Sequence, residues 1–191
     1  MRIYAFIAMI MSALLWCAPF TLAESTKAPD AVPSTWNTID RPELGFSVKL
    51  PVAAQRKDGW DLVGSTHLWA VATNGTFYQI GVNEYNDVAR FLTNSDGARK
   101  GMLHGIPTGF FKGIETTSHG TIQAQKMVRE FEMNGFPATE YTYTFLSNDG
   151  HSKYSGRSIF CVNAKAAYTF TALTAAKPDL TAPFFASIKL K

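Results

Sequence analysis

Cysteine is scarce in this chain of 191 residues: Cys17 and Cys161 are the only two. Cys17 lies in the N-terminal apolar stretch. The bulky Trp16 precedes it where a lipoprotein signal carries a small residue, which speaks against lipidation. Without that stretch a single thiol remains, so no internal disulfide can form and the fold must rest on its core. A surplus of charge is missing as well. The formal net charge is +3, one unit of it from Arg2, which gives no reason to expect nucleic acid or an anionic membrane as partner. No apolar run reaches the ~20 residues that span a bilayer. A Gly-x-Ser-x-Gly nucleophile elbow and a Gly-x-x-x-x-Gly-Lys phosphate loop are both absent. His67, His104, His119 and His151 stand far from one another and from Cys161 along the chain, so no local metal-ligand spacing exists and surface imidazoles are expected. The expectation is a protein without catalytic, cofactor-binding or metal-binding residues, hence not an enzyme.

Residues 1–23 read as an export signal. Arg2 is their only charge, an apolar run extends from Ile3 to Leu15, Pro19 breaks it, and Thr21-Leu22-Ala23 offers small residues to a signal peptidase. Cleavage after Ala23 would leave 168 residues beginning at Glu24, periplasmic or extracellular, with no integral membrane span. Residues 24–34, with two prolines and no apolar period, form a flexible lead-in, and 35–191 form one domain.

Strand patterns dominate that domain. Phe46–Leu50 alternates apolar and polar residues and stops at Pro51. Leu68–Thr73 and Phe77–Tyr85 flank Asn74-Gly75, and Lys126–Met133 and Ala138–Leu146 flank Asn134-Gly135. Both dipeptides suit the positive φ angles of a tight hairpin. Asp149-Gly150 turns the chain toward Lys153–Val162, and Asn163-Ala164-Lys165 toward Ala167–Leu173, giving an antiparallel meander. Helical spacing recurs over Val88–Leu103, capped by Asp87, and over a short segment from Asp179 to Ala186. A sheet with one polar face and helices gathered on the other is the expected α+β arrangement.

Three features could carry chemistry. Glu130 and Glu132 share one side of their strand, with Glu140 across the hairpin, Lys126 on their own face and Arg129 on the opposite one. Such a cluster could serve acid/base work or hold a cation, or be a solvated polar face. Cys161, inside Ile159–Val162, reads as a buried inert thiol. Phe110 and Phe111 fall in Gly105–Gly113, where three glycines and Pro107 predict a loop. The two rings either contact a partner or plug the end of the core.

The order of segments resembles the PsbP-like family, named for an extrinsic photosystem II subunit and present also as small exported bacterial domains. Gly45-Phe46-Ser47-Val48-Lys49-Leu50-Pro51 leads. A hairpin follows, then a helix carrying Phe91-Leu92 and Gly97-Ala98-Arg99-Lys100-Gly101, then Asn134-Gly135-Phe136-Pro137-Ala138-Thr139-Glu140-Tyr141, and finally Pro183-Phe184-Phe185-Ala186-Ser187-Ile188-Lys189-Leu190. The resemblance covers about residues 44–190 and implies an αβα arrangement around a central antiparallel sheet. It also implies a family that assists or binds other proteins, and no metal ligand of the family maps onto this chain. The expected function is a non-catalytic, protein-binding or assembly-assisting domain of the cell envelope, with an envelope or secreted protein as partner. A small-ligand or lipid carrier with an apolar pocket under the sheet is the alternative, and an enzyme the third.

Overall fold

The computed structural model describes residues 36–60, 63–175 and 178–191. The signal and lead-in expected over 1–34 lie outside them. Two sheets organise the chain. The smaller has the order β1-β2-β10, from β1 (Asn37–Arg41), β2 (Phe46–Leu50) and β10 (Lys189–Leu190), all antiparallel. The larger has seven strands in the order β3-β4-β5-β9-β8-β7-β6: β3 (Gln55–Trp60), β4 (Gly64–Thr73), β5 (Thr76–Tyr85), β6 (Thr121–Met133), β7 (Phe136–Leu146), β8 (Lys153–Val162) and β9 (Ala166–Thr174). Every pairing in it is antiparallel.

Both Asn-Gly dipeptides sit at hairpin tips as the sequence predicts. Asn74 and Gly75 have φ of 53° and 68°, and Asn134 and Gly135 have 52° and 80°. Positive φ at both central residues gives a turn whose twist matches that of the flanking strands. The registers follow, with Thr73 opposite Thr76 and Met133 opposite Phe136.

The helical region departs from expectation. The pattern over Val88–Leu103 splits into α1 (Asp87–Leu92) and α2 (Asp96–Ser118). Asn86 rather than Asp87 caps α1, its side chain accepting from the Ala89 amide at 3.0 Å, and Ser95 caps α2 by accepting from Ala98. Gly105–Gly113, predicted as a loop, is the middle of α2. Pro107 is accommodated within that helix.

The two faces of the large sheet are covered differently. On one, α1 and α2 bury Ala89, Met102, Leu103, Ile106, Phe110 and Phe111 against Tyr143, Phe145, Phe160 and Val162. On the other lie the small sheet and the short α3 (Ala182–Ala186), where Phe46, Val48, Leu50 and Phe184 meet Trp69, Tyr78, Ile80, Ile159, Cys161 and Phe170. The Tyr168 hydroxyl ties the two sheets together by donating to the Leu44 carbonyl at 3.0 Å. The expected polar face with helices on the other side is therefore corrected: both faces are covered, one by a long helix and one chiefly by strands. The arrangement is α+β and richer in sheet than a strict αβα sandwich.

Candidate functional site

The second covering layer is short. The strands β1 and β2 have five residues each and β10 has two. They cannot reach across a seven-stranded sheet, and the face they cover changes character along β7 and β8, while β9 stays buried through Ala172 and Thr174. Where it is covered, Ile159 and Phe170 line it. Beyond, two rows of polar and small side chains cross four strands. One is Ala124, Thr144, Ser155 and Thr174, the other Lys126, Thr142, Arg157 and Ala172. These residues, with Thr181, line an open groove of about 350 Å³.

An ion cluster marks the border between the dry and wet halves. Glu140 is buried on β7. Its carboxylate accepts from Arg129 Nε on β6 at 2.9 Å and from Arg157 Nε on β8 at 2.9 Å. Each guanidinium also lies over a ring at the rim of the core: Arg129 over Phe131 at 4.5 Å, and Arg157 over Phe185 of α3 at 4.2 Å. Two cations share one anion, so the cluster is net positive. Arg157 is held by Glu140 and Phe185 and lines the groove, a preorganised donor.

Of the two readings of these carboxylates, a functional cluster does not form. Arg129 pairs with Glu140, while Glu130 and Glu132 fall opposite Thr139 and Pro137 on the helix-covered face, where Glu130 comes within 3.9 Å of His104 on α2. Lys126 is on the other face from Glu130, because the register shifts between Met127 and Arg129. Such a bulge inserts one residue, here Val128, and reverses the alternation beyond it. Lys126 thereby joins Arg157 over the groove instead of neutralising Glu130.

No protein-family model matches the chain, and no curated protein matches it. Among solved structures, the solution structure of cyanobacterial PsbP from Synechocystis sp. PCC 6803 aligns with 86% of this chain and 98% of its own length. The TM-score is 0.55 at 12% identity. The fold is PsbP-like. A protein from Bacteroides thetaiotaomicron matches with TM-score 0.43 and 8% identity, covering 81% of this chain and 48% of its own. A protein of unknown function from Pseudomonas aeruginosa matches with 0.36 and 10%, covering 77% and 86%.

Within this PsbP-like fold Phe110 and Phe111 take the second of their two readings, and the possible partner contact is corrected. Phe110 and Phe111 are buried at 8% and 4% exposure. Their rings pack edge-to-face on Phe160 at 5.2 Å and on Tyr143 at 4.9 Å, respectively. A helix lying on the sheet turns both residues inward, so they plug the core and offer no surface to a partner. Cys161 is fully buried, and burial pushes its thiol up to about 12, which leaves it without thiolate character near neutral pH.

Besides His104, a second histidine has acidic neighbours. His67 on β4 donates from Nδ1 to Asp58 Oδ1 on β3 at 2.8 Å, and its Nε2 lies 3.9 Å from Glu84 on β5. That hydrogen bond, then the one from Arg56, holds the Asp58 carboxyl below the usual carboxylate range. Among the described residues no group of three or more His, Cys, Asp or Glu side chains could hold a metal. Among them, too, no helix is long and apolar enough to cross a membrane.

Proposed function

We propose that this chain is an exported, non-catalytic domain of the cell envelope that binds another protein. The observation that carries the reading is the groove on the uncovered half of the sheet, open and lined by hydroxyls, small residues and two cations. A lipid or small apolar ligand would ask for an enclosed apolar cavity that removes most of its surface from water. The groove's exposed lining is largely apolar, but it is open to solvent along one side and carries Lys126 and Arg157, so it does not enclose a ligand. An accessible surface on a sheet that mixes apolar area with hydroxyls and two cations suits contact with a solvated protein segment. The resemblance to PsbP-like proteins, which assist or bind other proteins, agrees with this reading.

The test is affinity capture of the tagged protein from its own cell envelope, with intact-mass analysis of the bait. The expected bait begins at Glu24 and retains one or a few envelope proteins in stoichiometric amount. A bait that emerges with an equimolar lipid and no protein would instead establish the carrier. A mass that retains residues 1–23 would remove the export argument.

A further inference from the structure

We propose that the groove beside Arg157 is a docking site for an extended, acidic segment of the partner protein, with Lys126 and Arg157 as the two carboxylate contacts. This rests on the protein-binding reading above and names the chemistry of the partner.

Charge complementarity carries the argument. The two rows that floor the groove hold two cations and no acid. The nearest acid on that face of β7, Glu140, is already engaged by Arg129 and Arg157. Lys126 is exposed, and Arg157 spends its Nε on Glu140. A guanidinium has five N–H donors, so its terminal nitrogens remain for a carboxylate. Lys153 sits on the same face of β8, one alternate position before Ser155, and extends the positive edge.

Spacing supports an extended occupant. Lys126 on β6 and Arg157 on β8 are both in register with Thr142 on the strand between them, so their backbones lie two strand spacings apart, roughly 10 Å. An extended chain sets alternate side chains on one face about 7 Å apart, and the long, flexible Lys126 stem spans the remainder. Thr142, Thr144 and Ser155 supply hydroxyls along the way. The bulge at Val128 is what aims Lys126 here, and bulges that re-aim side chains recur beside functional sites.

The experiment uses two blocked octapeptides, one with two glutamates at alternate positions and one with glutamines in their place. Inorganic phosphate serves as a free-anion control. Each is titrated into the isotope-labelled exported protein, following backbone amide shifts. The acidic peptide should move Lys126, Thr142, Ser155 and Arg157, and added salt should weaken the effect. Charge reversal in Lys126→Glu, at an exposed site that leaves the fold intact, should weaken binding about tenfold. Arg157→Lys, which keeps the charge but loses the fork, should weaken it about threefold. Equal shifts from the glutamine peptide, or none in the groove, overturn the proposal. So do groove shifts from phosphate at the same concentrations, which would make this a small-anion site. Envelope capture separates the two readings. Partners retained equally by wild type and Lys126→Glu leave the protein-binding function standing and remove the groove from it. Loss of capture in Lys126→Glu alone supports both.

Discussion

Replacing Glu140 by Gln keeps its shape and removes its charge, leaving two guanidiniums around a neutral amide. Removing one member of a fully buried ion pair costs about 3–5 kcal/mol. Here the carboxylate is only 7% exposed, but Arg129 is 56% and Arg157 32% exposed, so water recovers part of what the cations lose. That discounts the expected loss to about 2 kcal/mol. Arg129→Gln removes only the more exposed partner and should cost less than about 1 kcal/mol. For a domain of this size the Glu140→Gln loss corresponds to a drop in Tm of about 4–8 °C. Urea unfolding should show a lower midpoint at an unchanged slope, since no large change in buried surface is involved. Repeating the measurement at high salt decides the mechanism. A screened surface pair would lose its effect, whereas a pair anchored on a buried carboxylate keeps most of it. A loss below about 0.5 kcal/mol, or one that salt abolishes, would refute the idea that this cluster seals the edge of the core.

Phe111→Ala should destabilise the protein by about 3–5 kcal/mol in denaturant unfolding, the cost of a large buried ring and the cavity it leaves; a near-neutral effect would return the ring to the surface. Cys161 should react with thiol reagents at pH 8 only as fast as the protein opens, and rapidly once denatured; fast native labelling would contradict its burial and raised thiol. Asp58 has a depressed carboxyl in the folded state, so its contribution is present above the ordinary value near ~4 and is lost as pH falls through the folded value. Because its side chain is 52% exposed, Asp58→Asn should cost under about 1 kcal/mol at pH 7, and the gap to wild type should close in acid; a gap that widens below pH 4 would reverse the sign.

What could be read from the residues depended on how far each local rule reaches. The Asn-Gly turns were legible because few residues tolerate positive φ twice in succession, and each turn then dictates its hairpin register. That register already places Arg129 directly opposite Glu140, a pairing that the count from Asn134-Gly135 contains and that strand alternation alone obscured. The position of Lys126 was not legible, since one inserted residue at Val128 reverses every side chain before it and leaves no mark in composition. The long helix was misread for a different reason. Gly105, Gly109 and Gly113 around Pro107 look like loop chemistry and, with Gly97 and Gly101 before them, each costs a helix roughly 1 kcal/mol against Ala. Their spacing of four is nevertheless a helical period, and Met102, Leu103, Ile106, Phe110 and Phe111 run beside them on the buried face. Packing on the sheet overrode propensity. The strands β1 and β3, short and polar, carry no apolar alternation at all and exist through their pairing with β2 and β4.

The ion cluster joins stability and function because of where the second layer ends. Strands β7 and β8 run from under the small sheet to beyond it, and their side chains on that face pass from Ala138 and Ile159 to Thr142, Thr144 and Ser155. At the crossing, an apolar residue would leave its outer side wet and an unpaired charge its inner side dry. A carboxylate shared by two arginines whose planes lie on Phe131 and Phe185 meets both demands, since the guanidinium faces cover the rings and the edges remain hydrated. The same geometry fixes Arg157 at the mouth of the groove. A change at Glu140 should therefore disturb unfolding and groove binding together, whereas Lys126, exposed on the edge strand, should affect binding alone. Measuring both properties in both variants distinguishes a groove built by the fold from a polar surface that happens to lie beside it. The first requires Glu140→Gln to weaken the acidic peptide even where the protein remains folded; the second leaves that affinity unchanged.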